Sequence, residues 1–367
     1  MRSWVEVSLG AIRANYRAVR EAVQDSAEIM PVVKADAYRH GAVEVSRALE
    51  AEGAPWLAVS NVEEGAALRQ AGVQTRILVM ADFLPAERGA LREFSLTPVI
   101  HSLGDIPLAG VALAGGPYHL KIDSGMGRLG TRAAPEEIAR TVARGGAKLE
   151  GLMTHFASAG NYASPQTQEQ IQRFEKVICA LRSAGLTPRY IHSSATIPIA
   201  YGRREAWGNL VRPGHAIYGY VSPARGAAPP PSLTVKPALT WKATVLAVKD
   251  LEAGALIGYG GIQRAEKPMR IAVLAAGYAD GIPHRLSSRG SVIVKGKLAP
   301  IVGAVSMDLT TIDVTGCPEV QAGDAATLLG AEGEASIDAQ QMARIAGTIS
   351  YSVLCGISAR VKRVFVE

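Results

Sequence analysis

Short apolar runs recur along the N-terminal part of the chain, about 20 to 35 residues apart. Between them lie segments rich in alanine, glutamate and arginine, such as GAVEVSRALEAEGA and NVEEGAALRQAGV, which have helical composition. Alternation of buried strands with helices is typical of parallel βα units, and about eight units predict a closed (β/α)8 barrel of the TIM type. The strand candidates are IMPVVK, WLAVS, ILVM, LTPVI, YHLKID, LEGLMTHF, YIHSSAT and LVRPGHAIYGY.

An open, doubly wound sheet is the alternative arrangement of such units. The glycine-rich dinucleotide fingerprint that follows the first strand of such a sheet is missing here, which favours the barrel. The chain begins instead with a short alternating strand, after which Ser8 is a candidate N-cap for a helix. The helix is predicted from apolar residues at helical spacing, namely Ile12, Tyr16, Val19 and Val23.

The amino-acid composition changes near residue 221. The segment VSPARGAAPPPSLTVKP is rich in proline, alanine and glycine, which is typical of linkers between domains. Strand-like runs separated by turn residues follow, with one good helix candidate, SIDAQQMARIAG. We therefore predict a barrel domain over residues 8–225 and a mostly β domain made of residues 1–7 and 226–367.

The amino-acid composition limits the classes of function that this protein can have. The 367 residues are 48% hydrophobic, enough for a sizeable core, yet no stretch approaches the roughly 20 apolar residues needed to cross a bilayer. The N-terminus lacks the features of a secretory signal, so we expect a cytoplasmic protein with no membrane partner. Cys179, Cys317 and Cys355 show no spacing typical of a zinc site or a disulfide framework, and no metal site is predicted. The formal charge of +6 is scattered, which suits a small anionic ligand better than nucleic acid.

Polar residues follow many of the predicted barrel strands. In a (β/α)8 barrel the active site lies at the C-terminal ends of the strands, so these side chains are expected to converge. A single histidine or arginine at the end of a strand usually has a structural role. Several such polar residues at the same end of one barrel favour a catalytic site. The set comprises Lys34, Lys121, Asp123, Arg128, His155, His192, Ser193, Ser194 and Arg212.

Lys34 is the candidate for covalent chemistry. A lysine at a rigid strand end, partly desolvated by the barrel, has a lowered pKa and can act as an amine nucleophile or form a Schiff base. Arg212 lies beside a Pro-Gly turn whose N–H groups could approach a phosphate, and HSSAT offers hydroxyls for the same purpose. Lysine with a phosphate site suggests pyridoxal phosphate, although sugar-phosphate aldolases use similar residues.

Nine motifs, in order and across both predicted domains, resemble the alanine racemases, which are pyridoxal-phosphate enzymes of fold type III. The motifs are VVKADAYRHG, KIDSGMGRLG, THFASA, HSSA, VRPGHAIYG, IGYGG, GYADGIP, VSMD and TISYSVLC. The resemblance implies interconversion of L-alanine and D-alanine, which supplies D-alanine for peptidoglycan precursors. It also implies pyridoxal 5'-phosphate as the cofactor and a homodimer with shared active sites.

The resemblance assigns the cofactor-binding residues. Lys34 would hold the cofactor as a Schiff base, and Arg212 would contact the pyridine nitrogen. A guanidinium is effectively never deprotonated, so this contact would leave the ring neutral and limit side reactions such as transamination. The implied phosphate ligands are Tyr38, Ser194, Gly214, His215 and Tyr351.

Racemisation needs acid/base groups on both faces of the substrate Cα. The resemblance implies Lys34 on one face and Tyr259, delivered by a second subunit, on the other. A free tyrosine is a poor base at neutral pH, and a hydrogen bond from His155, itself linked to Arg212, would favour the phenolate.

Further residues are assigned to substrate binding and to the support of the site. Arg128 matches an arginine that contacts the cofactor and the substrate carboxylate. Lys121 matches a position that carries a carbamate in some relatives. Met307 and Asp308 match residues of the partner subunit that close the substrate pocket.

Four positions depart from the family pattern: His215 stands where an aliphatic residue is common, and Ile282, His284 and Ala304 replace a common tyrosine and two arginines. Substrate range and dimer strength are therefore open. The alternatives are a racemase of broader specificity, for example for serine, a fold-type III decarboxylase of basic amino acids, and a non-catalytic pyridoxal-phosphate-binding barrel. The last would lack the β domain and Tyr259.

Overall fold

A computed structural model describes residues 1–81 and 83–367. Contacts divide the chain into two compact units. The barrel unit comprises Ile12–Ala37 and Ala42–Lys236, and the β unit comprises Met1–Ala11, Tyr38–Gly41 and Pro237–Glu367. None of the helices in the described ranges is long and apolar enough to span a membrane.

The strands, in chain order, are β1 (Ser3–Ser8), β2 (Glu28–Ile29), β3 (Trp56–Val59), β4 (Arg76–Val79), β5 (Thr97–Ile100), β6 (Pro117–Lys121), β7 (Lys148–Met153), β8 (Tyr190–His192), β9 (Leu210–Val211), β10 (Leu239–Leu251), β11 (Leu256–Ile257), β12 (Gln263–Arg264), β13 (Met269–Leu274), β14 (Ser291–Val294), β15 (Lys297–Pro300), β16 (Thr310–Asp313), β17 (Ala325–Glu332), β18 (Ala335–Ile337) and β19 (Lys362–Val366).

The helices are α1 (Leu9–Val23), α2 (Lys34–Arg39), α3 (Ala42–Ala51), α4 (Val62–Gln70), α5 (Arg88–Glu93), α6 (Asp105–Ala112), α7 (Pro135–Arg144), α8 (Gln166–Ser183), α9 (Thr196–Ala200), α10 (Ala339–Ala346) and α11 (Ser350–Gly356). Short 3-10 turns occupy Gln24–Ser26, Arg204–Ala206, Tyr259–Gly261 and His284–Leu286.

The barrel unit contains all eight predicted strands, β2 to β9, and every pairing among them is parallel. Strands β3 to β8 form one sheet in sequence order, and β2 pairs with β9. Backbone bonds join these two sets: Val33 N–H donates to the Ala58 carbonyl at 2.8 Å, and Arg212 N–H donates to the Ser194 carbonyl at 3.0 Å. The predicted α/β barrel architecture is confirmed.

The start of α1 is as the sequence predicts. The Ser8 hydroxyl accepts a hydrogen bond from the Ala11 amide at 3.0 Å, which satisfies one of the unpaired N–H groups of the first turn. Ile12, Tyr16, Val19 and Val23 are buried along one face of the helix.

The β unit is built on a nine-stranded sheet. Its main path runs β15, β14, β17, β10, β1, β19, with β13, β16 and β18 attached to it. The central strand β10 alternates buried and half-buried residues over LTWKATV, the period of a sheet with one face packed on a core. The unit also contains the predicted helix α10 and a second helix, α11, which begins inside TISYSVLC and which the sequence pattern did not indicate.

Helix α10 begins at a capping box. The Asp338 side chain accepts from the Gln341 amide at 2.7 Å, and the Gln341 side chain accepts from the Asp338 amide at 2.9 Å. Gly347, in the left-handed conformation, ends the helix.

We expect Asp338→Ala to destabilise the β unit by about 1 kcal/mol, because the N-terminal amides of α10 lose their acceptor. Asp338→Asn keeps an acceptor oxygen and is the matched control, expected to stay close to the wild type. Urea unfolding of the three proteins measures the difference. Equal midpoints for the alanine variant and the wild type would contradict the prediction.

Candidate active site

Lys34 begins α2, five residues after the end of β2, at a point where the backbone takes an unusual course. The five residues that follow it, Ala35 to Arg39, all have positive φ, between 52° and 66°, and none is glycine. A left-handed turn of L-residues is unfavourable by roughly 1–2 kcal/mol per residue. Such strain persists only where surrounding contacts enforce it, and it is concentrated at functional sites.

Two carboxylates hold this left-handed turn. Glu64 accepts a hydrogen bond from the Ala35 amide at 2.7 Å, and Asp36 accepts one from the Ala42 amide at 2.8 Å. Within the turn, Ala37 N–H donates to the Val33 carbonyl at 2.9 Å. These hydrogen bonds therefore hold the course of the backbone directly after Lys34.

Arg212 follows β9 and is buried, with 2% of its surface exposed. Its guanidinium donates to the Thr154 carbonyl at 2.8 Å and the Ser193 carbonyl at 3.2 Å. It also lies 2.9 Å from Nδ1 of His192 and 3.3 Å from Nδ1 of His155. All four partners are neutral, and no carboxylate of the described ranges forms an ion pair with it. Burial lowers the pKa of Arg212 to about 9, which leaves the guanidinium charged at neutral pH.

The two histidines beside Arg212 are uncharged. Burial, then the charges of Arg212, Lys121, Arg128 and Lys34, lower the pKa of His155 to about 3. Since its Nδ1 faces a guanidinium that can only donate, the proton of the neutral ring is on Nε2. His155 therefore presents an N–H donor away from Arg212.

Behind His192 lies a second buried imidazole, His119, which the sequence reading did not single out. Nδ1 of His119 is 2.8 Å from Nε2 of His192, and burial lowers the pKa of both rings. Nε2 of His119 faces the Glu150 carboxylate at 3.9 Å, too long for a hydrogen bond but close enough for attraction. A Cβ at Gly151 would overlap the His119 ring, so this glycine makes room for it. The sequence could have indicated His119, because it lies two residues before Lys121 on β6 and therefore on the same face of the strand.

Lys121 is buried, with 5% of its surface exposed. Burial, then the charges of Arg128 and Arg212, lower its pKa to about 8. The charge of Lys34 lowers the pKa of both Lys121 and His155, so these three side chains share one site.

Asp123 shapes the loop that carries Arg128. One of its oxygens accepts from the amides of Gly125, Met126 and Gly127 at 2.8–3.1 Å, and the other from Arg132 at 2.7 Å. Burial opposes the charged form, but these bonds outweigh it and lower the pKa to about 2. Arg128 itself is exposed on this loop.

The loops after β8 and β9 lie together. Ser194 is fully buried, and the Thr196 hydroxyl accepts from the Ala216 amide at 3.1 Å. Gly214 and His215, the predicted phosphate ligands, begin the turn that Ala216 continues. This arrangement places the Ser194 and Gly214 segments side by side.

Tyr38 and Tyr351 meet in the β unit. Their ring centroids are 5.9 Å apart and the planes are inclined by 48°. Burial, followed by the proximity of Tyr351, raises the pKa of Tyr38, so its hydroxyl stays protonated. The structure thus brings together two of the predicted phosphate ligands in this unit.

Tyr259 and Met307 are exposed on the β unit, at 77% and 54% of their surfaces. Tyr259 opens a short 3-10 turn flanked by Gly258 and containing Gly260, both with positive φ. The Tyr278 amide donates to the Ser306 carbonyl at 2.9 Å, which ties the GYADGIP loop to the VSMD loop. Tyr278 itself, 44% exposed and 6.2 Å from the ring of His284, was not singled out from the sequence.

Asp308, a predicted substrate ligand, makes an internal ion pair. Its carboxylate accepts from Arg360 at 2.7 Å, and the same guanidinium holds Asp280 through bonds of 2.7 and 2.8 Å. Asp280 in turn accepts from the Gly277 amide at 2.8 Å. Arg360 therefore fixes the loop that presents Met307.

Known proteins match this chain over nearly its whole length. A family model described as "Alanine racemase, N-terminal domain" matches residues 7–223, and one described as "Alanine racemase, C-terminal domain" matches residues 238–365. The alanine racemase of Halothermothrix orenii is 38% identical over 371 residues, covering 99% of this chain and 96% of that protein.

Solved structures agree with these matches. The crystal structure of alanine racemase from D-cycloserine-producing Streptomyces lavendulae has a TM-score of 0.92 and 33% identity, covering 100% of this chain and 97% of that one. The alanine racemase from Bartonella henselae with covalently bound pyridoxal phosphate has a TM-score of 0.88 and 25% identity, with full coverage of both chains. The chain belongs to the alanine racemase family, whose members are pyridoxal-phosphate-dependent isomerases.

Proposed function

We propose that this protein interconverts L-alanine and D-alanine by a two-base mechanism, supplying D-alanine for peptidoglycan precursors in the cytoplasm. The observation that carries the proposal is the environment of Arg212: a buried guanidinium bonded only to neutral groups, sharing its site with Lys34. A binding site for an anionic or acceptor-rich ligand accounts for this charge.

The residues present fit pyridoxal phosphate. Lys34 offers a primary amine, and Arg212 offers a donor that does not surrender its proton at neutral pH. The buried Ser194 hydroxyl and the turn that begins at Gly214 and His215 suit a phosphate. Tyr38 and Tyr351 stay predictions as further phosphate ligands. When bound, the cofactor supplies an electron sink for the carbanion that forms at the substrate Cα.

Two side chains move the proton in the proposed reaction. The Lys34 amine removes or returns the proton on one face of the Cα, and Tyr259 of the partner subunit does so on the other. The Nε2–H of neutral His155 is a donor suited to stabilise a phenolate, because Arg212 occupies Nδ1. Arg128 and the backbone N–H of Met307 of the partner subunit would hold the substrate carboxylate.

We also propose that Lys121 carries a carbamate. Its pKa of about 8 leaves part of the amine neutral near neutral pH, and neighbouring cations favour an anion at this place. The neutral amine nitrogen forms a bond to the carbon of dissolved CO2 and releases one proton, giving an anion that would orient Arg128. No oxidant or further reactant is needed.

The first experiment follows the circular dichroism of L-alanine and of L-serine, separately, with holoenzyme. Decay of the alanine signal to zero supports the proposal, and comparable decay with serine assigns the broader specificity. A cofactor absorbance band without decay for either amino acid would leave only a cofactor-binding barrel.

A shared active site predicts complementation between two inactive variants. Lys34→Ala and Tyr259→Phe should each lose nearly all activity, because each lacks one proton-transfer group. Mixed subunits, unfolded and refolded at equal amounts, should recover about a quarter of wild-type specific activity, since half the dimers are mixed and each holds one intact site. No recovery, with mixed dimers shown by native mass spectrometry, would place both groups in one chain.

The carbamate predicts a carbonyl signal in the 13C NMR spectrum of enzyme equilibrated with labelled bicarbonate. The signal should be absent in Lys121→Met, while Lys148→Met, which removes a lysine at the exposed start of β7, is the control and should keep it. Identical spectra for the wild type and Lys121→Met would contradict the modification.

A further inference from the structure

Glu64 has no role in the proposed chemistry, yet its carboxylate bonds the residue next to Lys34. One oxygen accepts from the Ala35 amide and the other from the Ser60 amide, both at 2.7 Å. Ser60 directly follows β3, and Lys34 follows the segment that pairs with β3 through Val32 and Ala58. The carboxylate therefore links the backbone just after Lys34 to the residue that follows the C-terminal end of β3.

Half of this arrangement is ordinary helix capping. Glu64 lies in the first turn of α4, whose N-cap is Asn61, and the Asn61 side chain accepts from the Glu64 amide at 2.8 Å. A glutamate at this position commonly bonds the amide of the N-cap residue, and Glu64 makes the related bond to Ser60, one residue before the cap. A negative charge there is also favoured by the helix dipole.

The bond between Glu64 and the Ala35 amide is not explained by the capping of α4. The Ala35 amide lies 29 residues earlier in the chain and is the first N–H of the left-handed turn. An ionised carboxylate makes a stronger and shorter bond to an amide than a neutral acceptor does. Because Glu64 belongs to α4, this bond connects the backbone after Lys34 to a helix of the barrel unit.

We propose that Glu64 is a positioning residue for Lys34: it anchors the left-handed turn through Ala35 and so aims the lysine amine at the site. The inference rests on the proposed function, in which Lys34 binds the cofactor and transfers a proton. Small displacements of such a group reduce the rate strongly, by about 100-fold for roughly 1 Å.

The test separates anchoring from capping. Glu64→Gln keeps the shape of the side chain but has one acceptor oxygen for two amides, and Glu64→Asp keeps the charge with a shorter reach. Asn61→Ala removes the helix cap and leaves the bond to Ala35, so it is the matched control. For each protein we would measure kcat and KM, the unfolding midpoint, and the rate at which added pyridoxal phosphate becomes attached to the apoprotein.

We expect both Glu64 variants to lower kcat by about 10- to 100-fold and to slow cofactor attachment, with KM changed less than about threefold. Asn61→Ala should lower the unfolding midpoint at least as much as the Glu64 variants do. Its kcat and its rate of cofactor attachment should stay close to those of the wild type. If either soluble Glu64 variant reacts and binds the cofactor like Asn61→Ala, Glu64 is only a cap and the inference is overturned.

Failure of the proposed function is distinguishable from failure of this inference. Borohydride reduction of wild-type holoenzyme, followed by peptide mass spectrometry, locates the cofactor. Attachment to a lysine other than Lys34 would overturn the proposed function. Attachment at Lys34, with Glu64 variants that match the control, overturns the positioning role alone.

Discussion

The buried guanidinium of Arg212 constrains the interior of the barrel. A charge removed from water is stabilised by hydrogen bonds, and here two backbone carbonyls and two imidazole nitrogens accept bonds from Nη1 and Nη2 of the guanidinium. Each imidazole must present a lone pair to Arg212, so the tautomers of His155 and His192 are fixed. Because Nε2 of His192 lies 2.8 Å from Nδ1 of His119, the tautomer of His119 is fixed as well. The donors of the site are thus oriented before a ligand binds, which reduces reorganisation during a reaction.

The second constraint is the left-handed turn after Lys34. Five L-residues with positive φ are unfavourable locally, so carboxylates outside and inside the turn must hold it. The same short helix, α2, begins with Lys34 and carries Tyr38, which packs against Tyr351. The left-handed turn therefore determines the path of the backbone between these two predicted cofactor ligands.

Local sequence signals predicted most of the fold. The eight barrel strands, the Ser8 cap and helix α10 follow from hydrophobic periodicity and capping residues, which act over a few positions. The left-handed turn could not be predicted, because ADAYR contains no glycine and its conformation depends on Glu64, 29 residues away from Ala35. Helix α11 lacks a side-chain cap, and the Arg360 ion pair joins distant segments. Neither feature could therefore be predicted from local sequence.

For the candidate site, the ends of the predicted strands indicated Lys34, Lys121, His155 and Arg212. His119 was not indicated, because it lies inside an apolar run.

The exposed face around Tyr259 gives the proposed dimer a physical basis. Leu256, Tyr259, Ile262 and Met307 each expose more than half of their surfaces. Single exposed apolar residues are ordinary, but a Cβ at Gly258 would lie 3.4 Å from the Ala304 amide, so the loops of Tyr259 and Met307 are neighbours. Neighbouring apolar groups favour a partner that removes them from water. Two-fold association would cover this face on both copies, and Ala304, at the loop contact, adds no charge that must be desolvated. Catalysis by the proposed two-base mechanism would then depend on association, because Tyr259 of one copy would act on the substrate held at Lys34 of the other.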